Sequence, residues 1–84
     1  MHVTVISPAA AVFDGPAESV VAPAFDGEVG ILPRHAPFLT LLGDGRLTIQ
    51  VGNAARHIRV RGGVLQVADE TVRVVAEFAQ EETK

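Results

Sequence analysis

The chain has 84 residues, enough for one domain, and a formal net charge of −3. It lacks cysteine, tyrosine and tryptophan, and the absence of cysteine excludes disulfides and thiolate metal sites. The negative net charge argues against a nucleic-acid-binding surface, because such a surface needs a basic face and aromatic side chains on which bases stack. No run of about 18 apolar residues could span a membrane, and the first residues, MHVTVISP, lack the basic start and apolar centre of a signal peptide, so we expect a small cytosolic domain.

Four segments along the chain alternate between apolar and polar residues with a period of two. Alternation of this kind is typical of antiparallel strands that bury one face. The density of β-branched residues and the close spacing of turns argue against helices. The predicted inward residues are Val3 and Val5 in HVTVIS, Leu47, Ile49 and Val51 in RLTIQV, Ile58 and Val60 in RHIRVR, and Val72 and Val74 in TVRVVA.

Turn signals recur at short intervals and divide the chain into short strands. Asp-Gly and Gly-Asn pairs tolerate positive φ and close hairpins. We therefore predict an all-β fold, a flattened two-sheet sandwich or barrel of about seven to ten short antiparallel strands. Only the last segment, AEFAQEETK, could begin a helix, and it is too short and polar to be stable alone. The predicted turns are Asp14-Gly15-Pro16, Asp26-Gly27, Gly43-Asp44-Gly45, Gly52-Asn53, Gly62-Gly63 and Asp69-Glu70.

The residue types that carry catalysis do not occur here in a recognisable pattern. The three histidines, His2, His35 and His57, stand alone, without the spacing of metal ligands. Asp14 and Asp26 each precede a glycine and are interpreted as turn residues. The sequence has neither a nucleophile elbow nor a phosphate-binding glycine loop. We expect no catalytic residue, no metal site and no cofactor.

Two features of the predicted strands concern their outer faces. A basic strip on one strand is interpreted as a solvated face, with an anion site as the alternative; it consists of Arg56, Arg59 and Arg61. Three apolar residues, Ile6, Val64 and Val75, are out of phase with the core positions of their strands. A cluster of such residues on one sheet would mark a docking surface, whereas a bulge could turn any of them inward.

The stretch GEVGILPRHAPFL, residues 27–39, is unusually rich in glycine and proline. Gly27 and Gly30 allow tight backbone geometry, while Pro33 and Pro37 fix φ and remove two donors. The predicted result is a stiff connection that loses little entropy on binding a partner; a crossover that only caps the barrel is the alternative. Within it we expect Ile31, Leu32 and Phe38 to pack inwards and Glu28 and His35 to point outwards.

The longer segment DGEVGILPRHAPFLTLL, Asp26 to Leu42, resembles the most characteristic segment of the epsilon subunit of F-type ATP synthases. The segments VISP, VFDG, GDGRLTIQV and RGGVLQVADETVRVVAE are similar to family patterns in the same order, so the resemblance covers about the whole chain. Val64 and Gln66 stand where the family often has an aromatic or aliphatic residue and a glutamate.

The resemblance also implies where a typical member would continue. The family adds a C-terminal hairpin of two helices, and this chain stops at Lys84, where that hairpin would begin. We expect residues 1–84 to form a single epsilon-type β-sandwich domain without the hairpin, either as a naturally short subunit or as the N-terminal domain of a longer one. Without the hairpin we expect neither inhibition of ATP hydrolysis nor ATP binding.

The resemblance implies a non-catalytic role in the central stalk of the rotor, where the domain joins the gamma subunit to the c-ring and helps couple proton flow to ATP synthesis. Glu28 is the candidate contact to the c-ring. Ser7, His35 and Thr40 are the candidates for the gamma-facing side. The implied location is peripheral, on the cytoplasmic face of the bacterial plasma membrane, with membrane association only through the complex.

Two other functions stay open at this point. A free-standing β-barrel could bind a small ligand or a protein at the loop, and a deep pocket near His35 would favour it. A small hydrolase could use Asp14 or Asp26 with His35, and it would require a close Asp–His pair in a cleft.

Overall fold

The computed structural model describes residues 1–82, and within them the chain forms eight strands and no helix. The prediction of an all-β fold is confirmed. No helix in this part of the chain is long and apolar enough to cross a membrane. The strands are β1 (His2–Ile6), β2 (Ala11–Pro16), β3 (Ser19–Ala24), β4 (Gly27–Ile31), β5 (Phe38–Leu41), β6 (Gly45–Val51), β7 (Ala54–Ala68) and β8 (Thr71–Glu82).

The strands form one continuous sheet that folds into two layers. Its order is β2-β1-β8-β7-β6-β3-β4, and β5 pairs with β7 beside this path. The first part of β7 pairs with β6 and its second part with β5, so this strand passes from one layer to the other. We call the layer with β2, β1 and β5 the first layer and the layer with β6, β3 and β4 the second; β7 and β8 contribute to both.

The core lies between the two layers and is built from small and medium aliphatic side chains. The alternation predicts it well: Val3, Val5, Leu47, Ile49, Ile58, Val60, Val72 and Val74 are all buried, and Val51 is half-buried. Leu65 and Val67 of β7 join them from the first layer, and Val20, Ala22 and Ile31 from the second. No polar or charged residue between positions 1 and 82 is buried.

Gly62 and Gly63 form a crease in the middle of β7 rather than the predicted turn. Both have positive φ, 65° and 119°, which L side chains rarely adopt. The inward positions of β7 are even-numbered before the crease, as at Val60, and odd-numbered after it, as at Leu65, while the register with β8 is unchanged on both sides. The crease therefore lets one strand line the core from both layers.

Two other expectations about the strands are wrong. Asp14-Gly15-Pro16 lies inside β2 and not in a turn. The strands are not all short and antiparallel, because β7 has 15 residues, β8 has 12, and β1 pairs with β8 in parallel. The segment AEFAQEETK, which could begin a helix but is too short and polar for one that is stable alone, continues β8 as far as Glu82; its last two residues lie outside the described part.

The remaining predicted turns lie between strands. Gly52-Asn53 joins β6 to β7, and Gly43 and Asp44 precede β6. The turn between β3 and β4 is formed by Phe25 and Asp26, after which Gly27 begins β4. Asp69 and Glu70 join β7 to β8, and both have positive φ, 52° and 61°, as the central residues of a two-residue type I′ hairpin do.

Candidate interaction surface

An outward row of apolar side chains crosses the first layer. Leu41 of β5 is the register partner of Val64 in β7, Val64 is the partner of Val75 in β8, and Val75 is the partner of Ile6 in β1. Phe25 continues this line, since its N–H donates to the carbonyl of Leu41 at 3.2 Å. We call these five residues the apolar row. The out-of-phase residues of the sequence therefore do cluster on one sheet.

Four of the five side chains in the apolar row are exposed to solvent. Phe25 is 68% exposed, Leu41 59%, Val75 43% and Val64 38%, and Ile6 is half-buried. Single exposed apolar residues are common, but a contiguous set on one face is typical of a surface that a partner covers. The sequence revealed only part of this row, because the roles of Phe25 and Leu41 depend on how β3 meets β5.

The structure places the predicted gamma-side residues at different points around this face. Ser7 follows Ile6 directly, and its hydroxyl donates to the carbonyl of Ala10 at 3.3 Å. Thr40 precedes Leu41, but it is half-buried and is the register partner of the buried Leu65, so it lies on the inner side of β5. His35 lies in the loop that precedes β5.

Residues 32–37 connect β4 in the second layer to β5 in the first. Leu32, Pro33, Arg34 and His35 form a β-turn, in which His35 N–H donates to the carbonyl of Leu32 at 3.1 Å. Arg34 has φ of 67° and occupies the third position, where a type II turn favours glycine. Leu32 is 64% exposed, so the expectation that it packs inwards is wrong. Ile31 is buried and Phe38 half-buried, as expected.

The loop is tied to the hairpin between β7 and β8. The N–H of Arg34 donates to Glu70 Oε2 at 2.7 Å, and the carbonyl of Glu70 accepts from the N–H of His2 at 2.9 Å. We call the first of these bonds the Glu70 latch. The His35 ring lies 5.0 Å from that of Phe38, and His35 Nδ1 lies 2.8 Å from the carbonyl oxygen of Ala36. The loop is thus held at its apex and at its end.

Glu28, the predicted c-ring contact, is an exposed residue of β4, opposite Pro23 of β3. It lies in a strand and not in the turn suggested by its flanking glycines. Gly27 has φ of 133° and starts the strand after the hairpin turn. Gly30 has no positive φ, and a Cβ at this position would meet nothing within 4 Å. β4 is the last strand in the sheet order, so Glu28 lies at a sheet edge.

The basic strip is largely neutralised by the last residues of β8. Arg59 and Arg46 both contact Glu82, at 3.3 and 2.9 Å, and Arg56 forms a two-pronged pair with Glu81. The hydrogen bond from Arg56 lowers the pKa of the Glu81 carboxyl and raises the pKa of Arg56. These ion pairs favour the interpretation of the basic strip as a solvated face over the alternative that it binds an anion.

Two of the arginines also lie over aromatic rings. The Arg56 guanidinium lies 5.3 Å from the centre of the Phe13 ring, and Arg61 lies 5.2 Å from that of Phe78. An open groove on this face is lined by charged residues, among them Arg46, Arg59 and Glu82, and does not include His35. A ligand-binding barrel would be favoured by a pocket near His35, and the described groove lies elsewhere.

The groups that a hydrolase would need are not brought together. Asp14 pairs with His2 at 2.5 Å on the exposed side of β1 and β2, whereas the described hydrogen bond of the His35 ring is to the carbonyl of Ala36. Asp26 occupies the tip of the β3–β4 turn. In residues 1–82 no three His, Asp or Glu side chains are arranged to hold a metal ion.

The chain matches, over residues 1–82, the family described as the beta-sandwich domain of the ATP synthase delta/epsilon chain, and it belongs to this family. The resemblance seen in the sequence is therefore confirmed. Membership agrees with the prediction that the chain is a subunit of ATP synthase and not an enzyme in its own right.

Curated relatives and solved structures agree with this membership. The chain is 43% identical over 83 residues to the ATP synthase epsilon chain of Acidithiobacillus ferridurans, which covers 99% of this chain and 59% of that one. It is 52% identical over 61 residues to the epsilon chain of Solibacter usitatus, covering 73% and 46%. The chain thus spans about half to three fifths of the length of these relatives.

Two solved structures share the fold. A chain of the Euglena gracilis mitochondrial ATP synthase (OSCP/F1/c-ring, rotational state 1) matches with a TM-score of 0.87 at 21% identity, covering 94% of this chain and 51% of that one. A chain of the central stalk/c-ring structure of the Tetrahymena thermophila mitochondrial ATP synthase matches with a TM-score of 0.77 at 24% identity, covering 95% and 65%. At these identities the likeness establishes the fold.

Proposed function

We propose that this chain is a non-catalytic central-stalk subunit of a proton-translocating ATP synthase, and that it joins the gamma subunit to the membrane c-ring. In this role the domain transmits rotation and helps couple proton flow to ATP synthesis. It is peripheral to the membrane, on the cytoplasmic face of the bacterial plasma membrane, through the complex alone. The observation that carries the proposal is the apolar row on the outside of a domain of this family.

The gamma subunit is the proposed partner of the apolar row. Burying these exposed side chains supplies the non-directional part of the affinity, about 25 cal/mol for each Å² of apolar surface removed from water. Polar groups around an apolar centre then set register and exclude wrong partners. Ser7, His35 and Thr40 remain the proposed gamma-side residues. Ser7, next to Ile6, and His35, in the loop before β5, would contact the partner, whereas Thr40, on the inner side of β5, would act through its neighbour Leu41, whose carbonyl accepts from its hydroxyl at 3.4 Å.

Glu28 remains the proposed contact to the c-ring. It lies on the free edge strand β4, in the second layer, whereas the apolar row crosses the first. One domain can therefore present two different surfaces to two partners. A carboxylate at a rim pairs with basic or amide groups and contributes register more than affinity, which suits a joint that must keep its orientation while it rotates.

Binding to the gamma subunit from the same genome tests the first surface. The variant Val64→Thr/Val75→Thr keeps the β-branched shape but removes apolar contact, and it should weaken binding about tenfold or more in titration calorimetry. The matched control is Val21→Thr, which makes the same change at 37% exposure on β3 of the second layer and should leave binding unchanged. His35→Ala should weaken binding without unfolding the domain. A well-folded chain that does not bind a well-folded gamma subunit overturns the proposal.

Binding to detergent-solubilised c-ring, with the gamma subunit present, tests the second surface. Glu28→Gln should weaken retention of the c-ring, while Glu18→Gln, at an exposed acid in the β2–β3 connection, should not. Equal effects of the two substitutions would rule out Glu28 as the c-ring contact and leave the gamma-binding surface standing.

A further inference from the structure

Arg34 is an unusual residue for its place in the fold. It occupies the position of its turn that requires positive φ, at 67°, where glycine is favoured and an L side chain is strained. Positions of this kind persist only when the surroundings hold them. Three features hold Arg34 in this conformation: Pro33 before it, the bond from His35 N–H to the carbonyl of Leu32 across the turn, and the Glu70 latch.

The Glu70 latch joins two strained positions. Glu70 has φ of 61° in a hairpin turn that favours asparagine, aspartate or glycine. Its carboxylate accepts the N–H of Arg34 and leaves the guanidinium of that residue out of the bond. This carboxylate therefore fixes the backbone of Arg34 without pairing with its guanidinium.

The charge of Arg34 is left uncompensated in an acidic domain. Arg46, Arg56 and Arg59 each form an ion pair with a carboxylate of β8, and Arg61 lies over Phe78. Arg34 and the exposed Arg73 of β8 form no such pair with any carboxylate in the described part of the chain, and of these two only Arg34 lies in a turn. In a chain of net charge −3, an exposed arginine on a turn held by Pro33 and Glu70 is suited to pairing with an acidic group of a partner.

We propose that Arg34 is a contact residue that binds a carboxylate of the partner docked on the apolar row, and that Glu70 is the residue that positions it. The inference rests on the proposed function for the identity of that partner. The loop leads directly into β5 of the first layer, and its bond to Glu70 places Arg34 at the end of that layer formed by the β7–β8 hairpin, six residues along the chain from Val64. A partner that covers both the apolar row and the gamma-side candidate His35 therefore reaches Arg34. A planar guanidinium on a backbone that is already ordered forms charge-assisted bonds with little further loss of entropy.

The test separates charge from backbone shape. Arg34→Asn removes the charge but keeps a residue that tolerates positive φ, and Arg34→Lys keeps the charge. With the gamma subunit as the probe, Arg34→Asn should weaken binding about fivefold and reduce the salt dependence of the dissociation constant between about 50 and 300 mM salt. Arg34→Lys should recover most of both. The melting temperature of Arg34→Asn should be unchanged or raised by up to roughly 4 °C.

The role of Glu70 is tested with a double-mutant cycle. Glu70→Ala removes the acceptor for the Arg34 N–H and should weaken gamma binding, while Glu70→Gln keeps an oxygen that can accept this bond and should restore it. Because the two residues act together, Glu70→Ala should add little to Arg34→Asn in the double variant. Asp44→Ala, at an exposed acid in the β5–β6 connection, is the control and should change nothing.

The outcomes distinguish this inference from the proposed function. If Val64→Thr/Val75→Thr weakens gamma binding while Arg34→Asn leaves affinity and salt dependence unchanged, the role of Arg34 is overturned and the docking face stands. If Arg34→Asn weakens binding only because it lowers the melting temperature, Arg34 is structural and the inference fails. If the folded wild-type chain does not bind the gamma subunit at all, the proposed function fails and this inference fails with it.

Discussion

The backbone of Gly63 passes so close to Val75 that a Cβ on residue 63 would lie 2.1 Å from the Val75 carbonyl oxygen. This contact lies at the crease, where β7 leaves one layer and enters the other. The same two strands carry Val64 and Val75 side by side in the apolar row. The crease that forms the sandwich therefore also sets which valines face outwards.

We expect Gly63→Ala to be the most damaging small substitution in the chain. The added methyl group meets backbone atoms, which cannot move aside as a flexible side chain can, and φ of 119° is strained for alanine. The free energy of unfolding should fall by about 3 kcal/mol or more, measured by urea denaturation. The control is Gly30→Ala, where a Cβ meets nothing within 4 Å, and it should change stability by about 0.5 kcal/mol or less. Equal effects of the two would show that the crease relaxes.

A second prediction compares two leucines on neighbouring strands. Leu65 is fully buried and Leu39 is 67% exposed. Leu65→Ala leaves a cavity between the layers and should lower the free energy of unfolding by about 2 to 5 kcal/mol. Leu39→Ala should lower it by about 0.5 kcal/mol or less. Thermal or urea denaturation of both variants tests this, and a loss at Leu39 as large as that at Leu65 would contradict the assignment of the inner and outer faces.

A third prediction concerns acid stability. Because the hydrogen bond from Arg56 lowers the folded-state pKa of Glu81, the contribution of this pair is fully present above the unfolded pKa of about 4.3 and is lost as the pH falls through the folded pKa. Arg56 stays charged throughout this range. Arg56→Gln should lower the free energy of unfolding at neutral pH by about 0.5 to 1 kcal/mol, since the pair is partly exposed.

The same substitution should reduce the loss of stability on acidification, and urea denaturation at neutral pH and between about pH 3 and 5 measures this. Arg73→Gln, at an exposed arginine of β8 that forms no ion pair in residues 1–82, is the control and should leave the pH profile unchanged. Parallel profiles for wild type and Arg56→Gln would rule out the pair as a source of acid sensitivity.

A fourth prediction is that the proposed contact residues are dispensable for folding. Glu28 is exposed on an edge strand, and His35 is exposed with its Nδ1 beside the carbonyl of the next residue. Glu28→Ala and His35→Ala should each change the free energy of unfolding by about 0.5 kcal/mol or less. Circular dichroism and thermal denaturation test this. A large loss of stability at either position would mean that its effect on partner binding is indirect.

The sequence predicted the inner faces of the strands better than their lengths and connections. Val3, Val5, Val72 and Val74 are buried as expected because alternation in a strand is a local property that burial on one side imposes. The Gly62-Gly63 pair was misread as a turn, since two glycines permit positive φ equally in a turn and in a crease. The candidate surface was predicted only in part, because a cluster across strands depends on register, which no single segment specifies.

The sequence by itself determined the class of fold and the aliphatic core, because period-two alternation acts over a few residues. The stiffness of residues 32–37 stays a prediction from the φ restriction of their two prolines. Tertiary structure alone decided that one row forms from Ile6, Val64, Val75, Leu41 and Phe25, because register brings four different strands side by side and a hydrogen bond joins the β3–β4 turn to Leu41. It also decided that Glu70 holds Arg34, a contact between residues 36 positions apart. Residues that are far apart in the sequence become neighbours of this kind only when packing has fixed the path of the whole sheet.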